Sequence, residues 1–195
     1  MGFTIHESNR CEATFVSWTD CMSSQVILIT GPRAAGKSTF ATEVHQAVVG
    51  SVLLHVDDLF HEVLAQDRSR WNGQEADLYA VILCHQVGLA RDLALAGSYV
   101  IVDATVLPDQ LAPLLDQPAP DVSVVVLLPP LEECLANEHR ATRTVPVREE
   151  KVTATWQEMQ AWRRVTGVSV RIVEGLEVER RKALSAVVKQ LQQAH

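Results

Sequence analysis

The sequence lacks an excess of positive charge and a long hydrophobic run. Its 17 lysine and arginine residues are outnumbered by 24 aspartates and glutamates, giving a formal net charge of -7 at pH 7. A broadly negative field disfavours a protein whose main partner is a nucleic-acid backbone or an anionic membrane. No uninterrupted apolar run approaches the length that a bilayer requires, and the N-terminus lacks a basic flank followed by an apolar stretch. We therefore expect a cytoplasmic protein that acts away from membranes.

The cysteines show no arrangement typical of a metal site. Cys11, Cys21, Cys84 and Cys134 are scattered, without a Cys-x-x-Cys pair or a histidine at zinc-ligand spacing. Cytosolic conditions keep such thiols reduced, so we expect them in structural or surface positions. Internal repeats and low-complexity segments are also missing from the sequence. The chemistry must therefore be sought in other residues.

Hydrophobic patterning predicts one domain in which strands and helices alternate. A chain of 195 residues has the length of about one domain. Residues 1–23 have neither periodicity nor a clear cap, so we expect an N-terminal extension followed by a domain over 24–195. The predicted strands are 25–30, 52–56, 99–103, 122–128 and 168–173. The predicted helices are 37–49, 59–65, 75–96, 131–140, 147–164 and 176–193. This order predicts an α/β three-layer sandwich around a five-stranded, mainly parallel sheet.

The most specific motif is GPRAAGKS at residues 31–38, which matches G-x-x-x-x-G-K-[ST] between a predicted strand and a predicted helix. The glycines let the loop wind tightly, so that backbone N–H groups and the helix N-terminus converge on phosphates. Lys37 would bridge the terminal phosphates, and Ser38 would ligate Mg²⁺. We therefore predict an ATP site formed by Gly31, Pro32, Arg33, Ala34, Ala35, Gly36, Lys37, Ser38 and Thr39.

Acidic residues follow two of the predicted strands. Asp57 and Asp58 come after the second strand, and Asp103 ends the third. Because ligands bind at the carboxyl ends of parallel strands, these carboxylates should face the same crevice as the phosphate loop. We predict that Asp57 is the general base and that Asp103 belongs to the Mg²⁺ site. Two alternatives stay open: Asp58 as the N-cap of a helix beginning at Leu59, and Asp103 as a turn carboxylate bonded to the backbone of Thr105.

Other residues near the acidic pair are candidates for contact with the phosphoryl acceptor. An insert before the third predicted helix carries Arg68, Arg70 and Trp71, which could stack on or pair with a substrate. An exposed loop anchored by the tryptophan explains these three residues equally well. His61 could touch the substrate or lie on a solvated helix face. We expect His55 to be a buried, hydrogen-bonded structural histidine.

Arginines are concentrated after the fourth predicted strand, in the segment HRATRTVPVR at residues 139–148. Phosphoryl transfer requires cations that close over the transferring group, exclude water and neutralise developing charge. We therefore predict a lid here, in which Arg140 and Arg143 join Lys37 in an electrostatic clamp. A solvated charged surface is the alternative.

The segments GPRAAGKST, VDDLF, IVDATVL and HRATRTVP resemble, in order and spacing, a group of P-loop kinases. This group includes polynucleotide 5′-hydroxyl kinases, chloramphenicol phosphotransferase and zeta-type toxins. The resemblance covers about residues 25–165. It implies that Asp57, the first member of an Asp-Asp pair, is the general base. It also implies that Asp103 matches an Asp-x-x-Leu element after the third strand, and Arg140 the lid arginine before a Val-Pro.

Motifs and resemblance together predict a Mg²⁺- and ATP-dependent phosphotransferase. The acceptor would be a hydroxyl of a small antibiotic- or nucleoside-like molecule. A polynucleotide 5′-hydroxyl kinase is an alternative, but residues 59–62 lack the basic residue that follows the acidic pair in those enzymes. A nucleotide-binding regulatory module with little activity is an alternative from another class. The sequence has no NKxD element to recognise guanine, and it is short for a motor ATPase.

Overall fold

Strands and helices alternate along the chain. The computed structural model describes residues 25–66, 69–110, 122–141, 148–165, 169–175 and 177–193. The strands are β1 (Val26–Thr30), β2 (Val52–His55), β3 (Val100–Asp103), β4 (Val122–Leu127) and β5 (Val170–Val173). The helices are α1 (Lys37–Ala47), α2 (Val56–Gln66), α3 (Glu75–Leu95), α4 (Leu131–Arg140), α5 (Glu149–Met159) and α6 (Glu177–Gln193), and a 3₁₀ helix (Gln160–Arg164) follows α5. The predicted N-terminal extension, Arg68 and Arg143 lie outside the described residues.

The strands form one five-stranded sheet in the order β2-β3-β1-β4-β5, and every pairing is parallel. The predicted fold class is therefore confirmed. The central strands are buried along their whole length, as the β-branched runs of a parallel sheet covered on both faces require. Asp103 is in register with His55 on one side and Ile29 on the other. The carboxyl ends of β2, β3 and β1 consequently lie side by side.

Helices cover both faces of the sheet and enclose two hydrophobic clusters. One cluster joins α3, the 3₁₀ helix and one face of the strands, with Leu28 and Trp162 among its members. The other joins α1, α6 and the opposite face, with Ile29, Phe40 and Leu191 among its members. Successive strand residues point to opposite faces, so neighbours such as Leu28 and Ile29 belong to different clusters. Each fully buried large side chain contributes about 1.5–3 kcal/mol to folding.

Helix α2 begins three residues earlier than the sequence pattern predicts. It starts at Val56 rather than Leu59, so Asp57 and Asp58 lie in its first turn. The interpretation of Asp58 as the N-cap of this helix is therefore wrong. Carboxylates in a first turn interact favourably with the positive end of the helix dipole, which explains why the helix extends through both residues.

Helix α3 is long and apolar because one side of it packs on the sheet. By length and composition alone this helix could cross a membrane. The core helices of other proteins meet the same two criteria. Its residues Leu78, Ile82, Leu83 and Val87 are buried in the first hydrophobic cluster. Its apolar character is thus accounted for by the core of the domain.

The two cysteines in the described part of the chain are free thiols. Cys84 is exposed and Cys134 is buried. Burial raises the pKa of the Cys134 thiol to about 11, so it stays protonated and unreactive at neutral pH. Within the described ranges, no group of three or more His, Cys, Asp or Glu residues could hold a metal ion by itself.

Candidate active site

The phosphate loop connects β1 to α1, and two of its glycines are required for different reasons. A Cβ atom on Gly31 would collide with the carbonyl oxygen of Leu127, so the loop passes close to the end of β4. Gly36 has φ +83°, in the left-handed region that favours glycine, and α1 begins at the next residue. Ala34 also lies in that region, with φ +60°. The loop is therefore tightly wound, as the motif predicts.

Lys37 places a positive charge beneath this loop. Its side chain is buried, and its Nζ atom donates a hydrogen bond to the carbonyl oxygen of Pro32 at 3.1 Å. Burial lowers the pKa of Lys37, while the charges of Asp57 and Asp103 oppose that shift. The two predicted acidic residues therefore lie close enough to the ammonium group to act on its pKa.

Asp57 is held by a residue that the sequence did not indicate. The hydroxyl of Tyr79, on α3, donates a hydrogen bond to Asp57 Oδ1 at 2.7 Å. The same hydroxyl accepts a hydrogen bond from the backbone N–H of Thr105 at 2.8 Å. Burial, and next the negative charge of Asp57, raise the pKa of Tyr79, so the phenol stays protonated and donates. Tyr79 thus connects the carboxylate after β2 to the backbone after β3.

Asp103 is buried, and its two oxygens have different surroundings. Oδ2 lies 2.9 Å from Nδ1 of His55, which is half-buried and hydrogen-bonded. Oδ1 is buried without a hydrogen-bond partner among the described residues. The alternative in which Asp103 caps a turn at Thr105 is not observed, because that N–H bonds to Tyr79. A buried carboxylate oxygen left in this state requires a cation or water, so the donor chemistry of Asp103 fits a Mg²⁺ site.

The loop and the acidic pair share one cleft of about 590 Å³. Asp57 and Asp58 therefore face the phosphate loop, as the strand ends predict, whereas Asp103 does not belong to the lining of this cleft. His61 also lines this cleft. The full lining is Arg33, Ala34, Gly36, Lys37, Ser38, Thr39, Asp57, Asp58, His61, Asn137 and Arg180.

A second cleft of about 650 Å³ adjoins the first. It shares Thr39 and Arg180 with the phosphate cleft and is bounded by the ends of β4 and β5 and by α1 and α6. Ala35, at the turn of the phosphate loop, also lines it. The two clefts thus lie side by side, between the phosphate loop and α6.

Arg140 is linked to the phosphate loop indirectly, by way of the Asn137 side chain. It is exposed at the end of α4, and its Nη2 donates a hydrogen bond to Oδ1 of Asn137 at 3.0 Å. Asn137 Nδ2 in turn donates to the carbonyl oxygen of Ala34 at 3.0 Å. Arg140 is thus connected to the loop without lining the cleft.

The predicted acceptor contacts in the insert lie apart from this cleft. The Arg70 guanidinium stacks over the ring of Trp71, with Cζ 5.4 Å from the ring centroid. Trp71 packs against the first hydrophobic cluster. Neither residue belongs to the lining of the phosphate cleft.

Three residues of the site were not predicted from the sequence: Tyr79, Asn137 and Arg180. Tyr79 lies 22 residues from Asp57, and Asn137 lies 103 residues from Ala34. Asn137 is a polar residue one helical turn before Arg140, and this spacing was a weak sequence signal for it. Tyr79 and Arg180 lie on amphipathic helices, where nothing distinguishes them from surface or core residues.

A family model described as an AAA domain (AAA_33) matches residues 26–166. No curated protein sequence matches the chain. Similar solved structures include a sugar kinase from Janibacter sp. HTCC2649, with 18% identity, coverage of 88% of this chain and 99% of that chain, and a TM-score of 0.65. A gluconokinase from Sinorhizobium meliloti 1021 has 16% identity, coverage of 89% and 98%, and a TM-score of 0.61. The tunicamycin resistance protein of Deinococcus radiodurans has 18% identity, coverage of 86% and 95%, and a TM-score of 0.58.

The identities to the solved structures are low, so these similarities show the fold alone, which is that of P-loop kinases. The resemblance inferred from the motifs is confirmed. The matched segment contains the phosphate loop, both acidic strand ends and α4. Because this segment makes up well over half of the chain, the protein belongs to the AAA_33 family of AAA domains, a family of P-loop kinases.

Proposed function

We propose that the protein is a kinase that transfers the γ-phosphoryl group of ATP to a hydroxyl of a small molecule. The observation that carries the proposal is the position of three elements at the carboxyl ends of adjacent strands. The phosphate loop follows β1, Asp57 follows β2 and Asp103 ends β3. These elements supply a phosphate cradle, a base and a metal ligand, which are the components that phosphoryl transfer requires.

Ser38 and Asp103 would hold the Mg²⁺ ion of this reaction. Mg²⁺ prefers oxygen ligands, and the unpartnered, buried Oδ1 of Asp103 is suited to bind the ion or one of its waters. When bound, the ion neutralises charge on the terminal phosphates. The second cleft offers space for the nucleoside of ATP beyond the phosphate loop.

In the proposed reaction, the acceptor oxygen forms a bond to the γ-phosphorus while the bond from that phosphorus to the β–γ bridging oxygen breaks, releasing ADP. The acceptor proton passes to the Asp57 carboxylate. Tyr79 orients this carboxylate by occupying Oδ1, which leaves the second oxygen for the proton. Lys37 stabilises negative charge on the transferring group, and Arg140 and Arg143 close over it from a lid at residues 139–148.

The acceptor is proposed to be a small, hydroxyl-bearing molecule of the sugar, nucleoside or antibiotic type. The acidic pair and His61 border the cleft beside the phosphate loop, and the net charge of -7 disfavours a polyanionic acceptor. The names of the similar solved structures support the same class, since two of them are a sugar kinase and a gluconokinase. We propose that the protein acts on this acceptor in the cytoplasm.

The test is an acceptor screen that measures ADP release above the water background. Sugars, gluconate, nucleosides, aminoglycosides, phenicols and a short 5′-hydroxyl oligonucleotide are compared with Mg²⁺ and ATP present. We expect a small-molecule hydroxyl to stimulate release. Stimulation by the oligonucleotide alone would show a polynucleotide kinase, and stimulation by none would favour a regulatory module.

Asp57→Asn and Asp58→Asn are the matched variants for this screen. Asn preserves the shape of the side chain and the oxygen that accepts the hydrogen bond from Tyr79, but it cannot take a proton. Asp57→Asn should therefore lower phosphorylation of the acceptor molecule by about 10²- to 10⁴-fold. ATP binding should change little. Asp58 is exposed beside the same cleft and has no role in proton transfer, so its variant should lose much less activity. The reverse ranking would assign the base to Asp58, and equal activity of both variants and the parent would refute a carboxylate base.

A further inference from the structure

Arg180 of α6 lies over the start of helix α1. Its Nη1 atom is 2.9 Å from the position that a Cβ atom on Gly36 would occupy. Its Cζ atom lies 5.7 Å from the centroid of the Phe40 ring. A larger residue at position 36 would therefore meet the guanidinium. The close approach brings a cation from the last helix to the mouth of the phosphate loop.

Arg180 also lies where the two clefts join. Only Thr39 and Arg180 line both of them among the described residues. A nucleotide with its terminal phosphates on the loop and its nucleoside in the second cleft must pass these two residues. In that arrangement, the phosphate next to the nucleoside would lie beside them.

The guanidinium is only partly engaged within the protein. In the described part of the chain it makes one hydrogen bond, from Nη2 to Oε1 of Glu43 at 3.3 Å. An arginine has five N–H donors, so most of them are available to a ligand. The contact with the Phe40 ring uses none of these donors. Glu43 is 41% exposed, so solvent can stabilise its carboxylate if the arginine turns to a phosphate.

We propose that Arg180 binds the nucleoside-proximal phosphate of the bound nucleotide and thereby favours ADP and ATP over inorganic pyrophosphate. This inference rests on the proposed function, since it takes the phosphate loop to be a nucleotide site. The planar guanidinium forms paired hydrogen bonds to phosphate oxygens that a lysine cannot reproduce. Because the bridging bond broken in the reaction is remote from this phosphate, Arg180 acts on nucleotide binding rather than on the transferring group.

The test compares ADP and pyrophosphate affinities, by titration calorimetry with Mg²⁺, for the parent and the Arg180→Met and Arg180→Lys variants. Arg180→Met should weaken ADP binding by about 10- to 100-fold, as expected for a lost hydrogen bond to a charged group. Pyrophosphate affinity should change much less. Arg180→Lys should recover part of the loss. With an acceptor, KM for ATP should rise while kcat stays nearly constant.

Two control variants separate ligand binding from a purely structural role. Lys182→Met removes an exposed charge from the same helix and should leave ADP affinity unchanged. Glu43→Gln removes the internal partner of Arg180, so ADP should bind as tightly as to the parent or more tightly. If Arg180 only joins α6 to α1, Glu43→Gln and Arg180→Met will lower the unfolding temperature alike and leave ADP affinity unchanged. That result would overturn the inference.

Lys37→Ala distinguishes failure of the inference from failure of the proposed function. If the parent binds ADP and Lys37→Ala weakens that binding while Arg180→Met does not, the inference alone is wrong. If the parent binds neither ADP nor ATP, the proposed function fails and the role of Arg180 fails with it. Equal weakening of ADP and pyrophosphate binding by Arg180→Met would also contradict the assignment to the nucleoside-proximal phosphate.

Discussion

The proposed contact of Lys37 with phosphate would make nucleotide binding depend on pH. Burial lowers its pKa from the ordinary value of 10.5, and bound phosphates would favour the charged form and raise the pKa again. ADP binding should therefore take up protons at alkaline pH. The affinity should be greatest below the lowered pKa and should fall as the pH rises through it.

The same shift has a defined sign in folding. Between the lowered folded pKa and the ordinary unfolded pKa, the unfolded chain binds more protons at Lys37 than the folded chain. The free energy of unfolding of the ligand-free protein should therefore rise with pH across that interval. Below the lowered pKa, Lys37 is charged in both states, and the cost of burying its charge lowers the free energy of unfolding by its full amount.

The measurement is calorimetric titration with ADP at alkaline pH in two buffers of different ionisation enthalpy. A heat that depends on the buffer reports proton uptake. Lys37→Arg is the control, because its guanidinium stays charged and should bind ADP without proton exchange. Identical proton uptake in this variant would show that another group titrates.

At the scale of elements, helix α4 is tied to the phosphate loop by its last turn. Arg140 bonds to Asn137, and Asn137 bonds to the carbonyl oxygen of Ala34, whose φ of +60° is unfavourable for alanine. The structure therefore offers a route by which the position of the last turn of α4 affects the conformation of the loop.

A double-mutant cycle tests this connection. The effects of Arg140→Ala and Asn137→Ala on turnover should be non-additive, with a coupling energy of about 0.5–3 kcal/mol, because each variant breaks the same hydrogen bond. Both single variants should reduce turnover more than ADP affinity, as expected of residues that act on the transferring group. Additive losses would mean that Arg140 acts independently of Asn137.

At the scale of the whole molecule, the two clefts join elements on either side of β1. Their linings take residues from the phosphate loop, α1, α2, α4 and α6. A ligand that contacts all of these elements stabilises the domain against global unfolding rather than one loop against fraying. Because the protein and the nucleotide are both negatively charged, we expect Mg²⁺ to contribute strongly to the binding free energy of the proposed nucleotide.

Thermal unfolding with ligands measures this linkage. At about 100 times its dissociation constant, Mg²⁺·ADP should add about 2.7 kcal/mol to the free energy of unfolding. Each kcal/mol raises the unfolding midpoint by about 2–4 °C in a domain of this size. ADP without Mg²⁺ should give a smaller rise, and Lys37→Ala should give the smallest. A rise that survives unchanged in Lys37→Ala would place the nucleotide elsewhere.

The sequence by itself determined the phosphate loop, the five strands and the acidic residues at two strand ends. These features follow from short-range rules: glycines at fixed spacing, apolar runs of strand length and the charge that follows them. The start of α2 was missed because Val56 suits either the end of a strand or the first turn of a helix. In the folded chain, His55 is the last residue to pair with β3, and the helix begins immediately after it.

Only the tertiary structure decided which distant side chains complete the site. Strand order places β3 between β1 and β2, which brings Asp103 beside His55 and close to Lys37. The packing of α3 brings Tyr79 to Asp57, and the packing of α6 brings Arg180 over the phosphate loop. A tyrosine or an arginine on an amphipathic helix has the same local pattern wherever it points. Its partner is set by how helices pack on the sheet, which is a property of the whole fold.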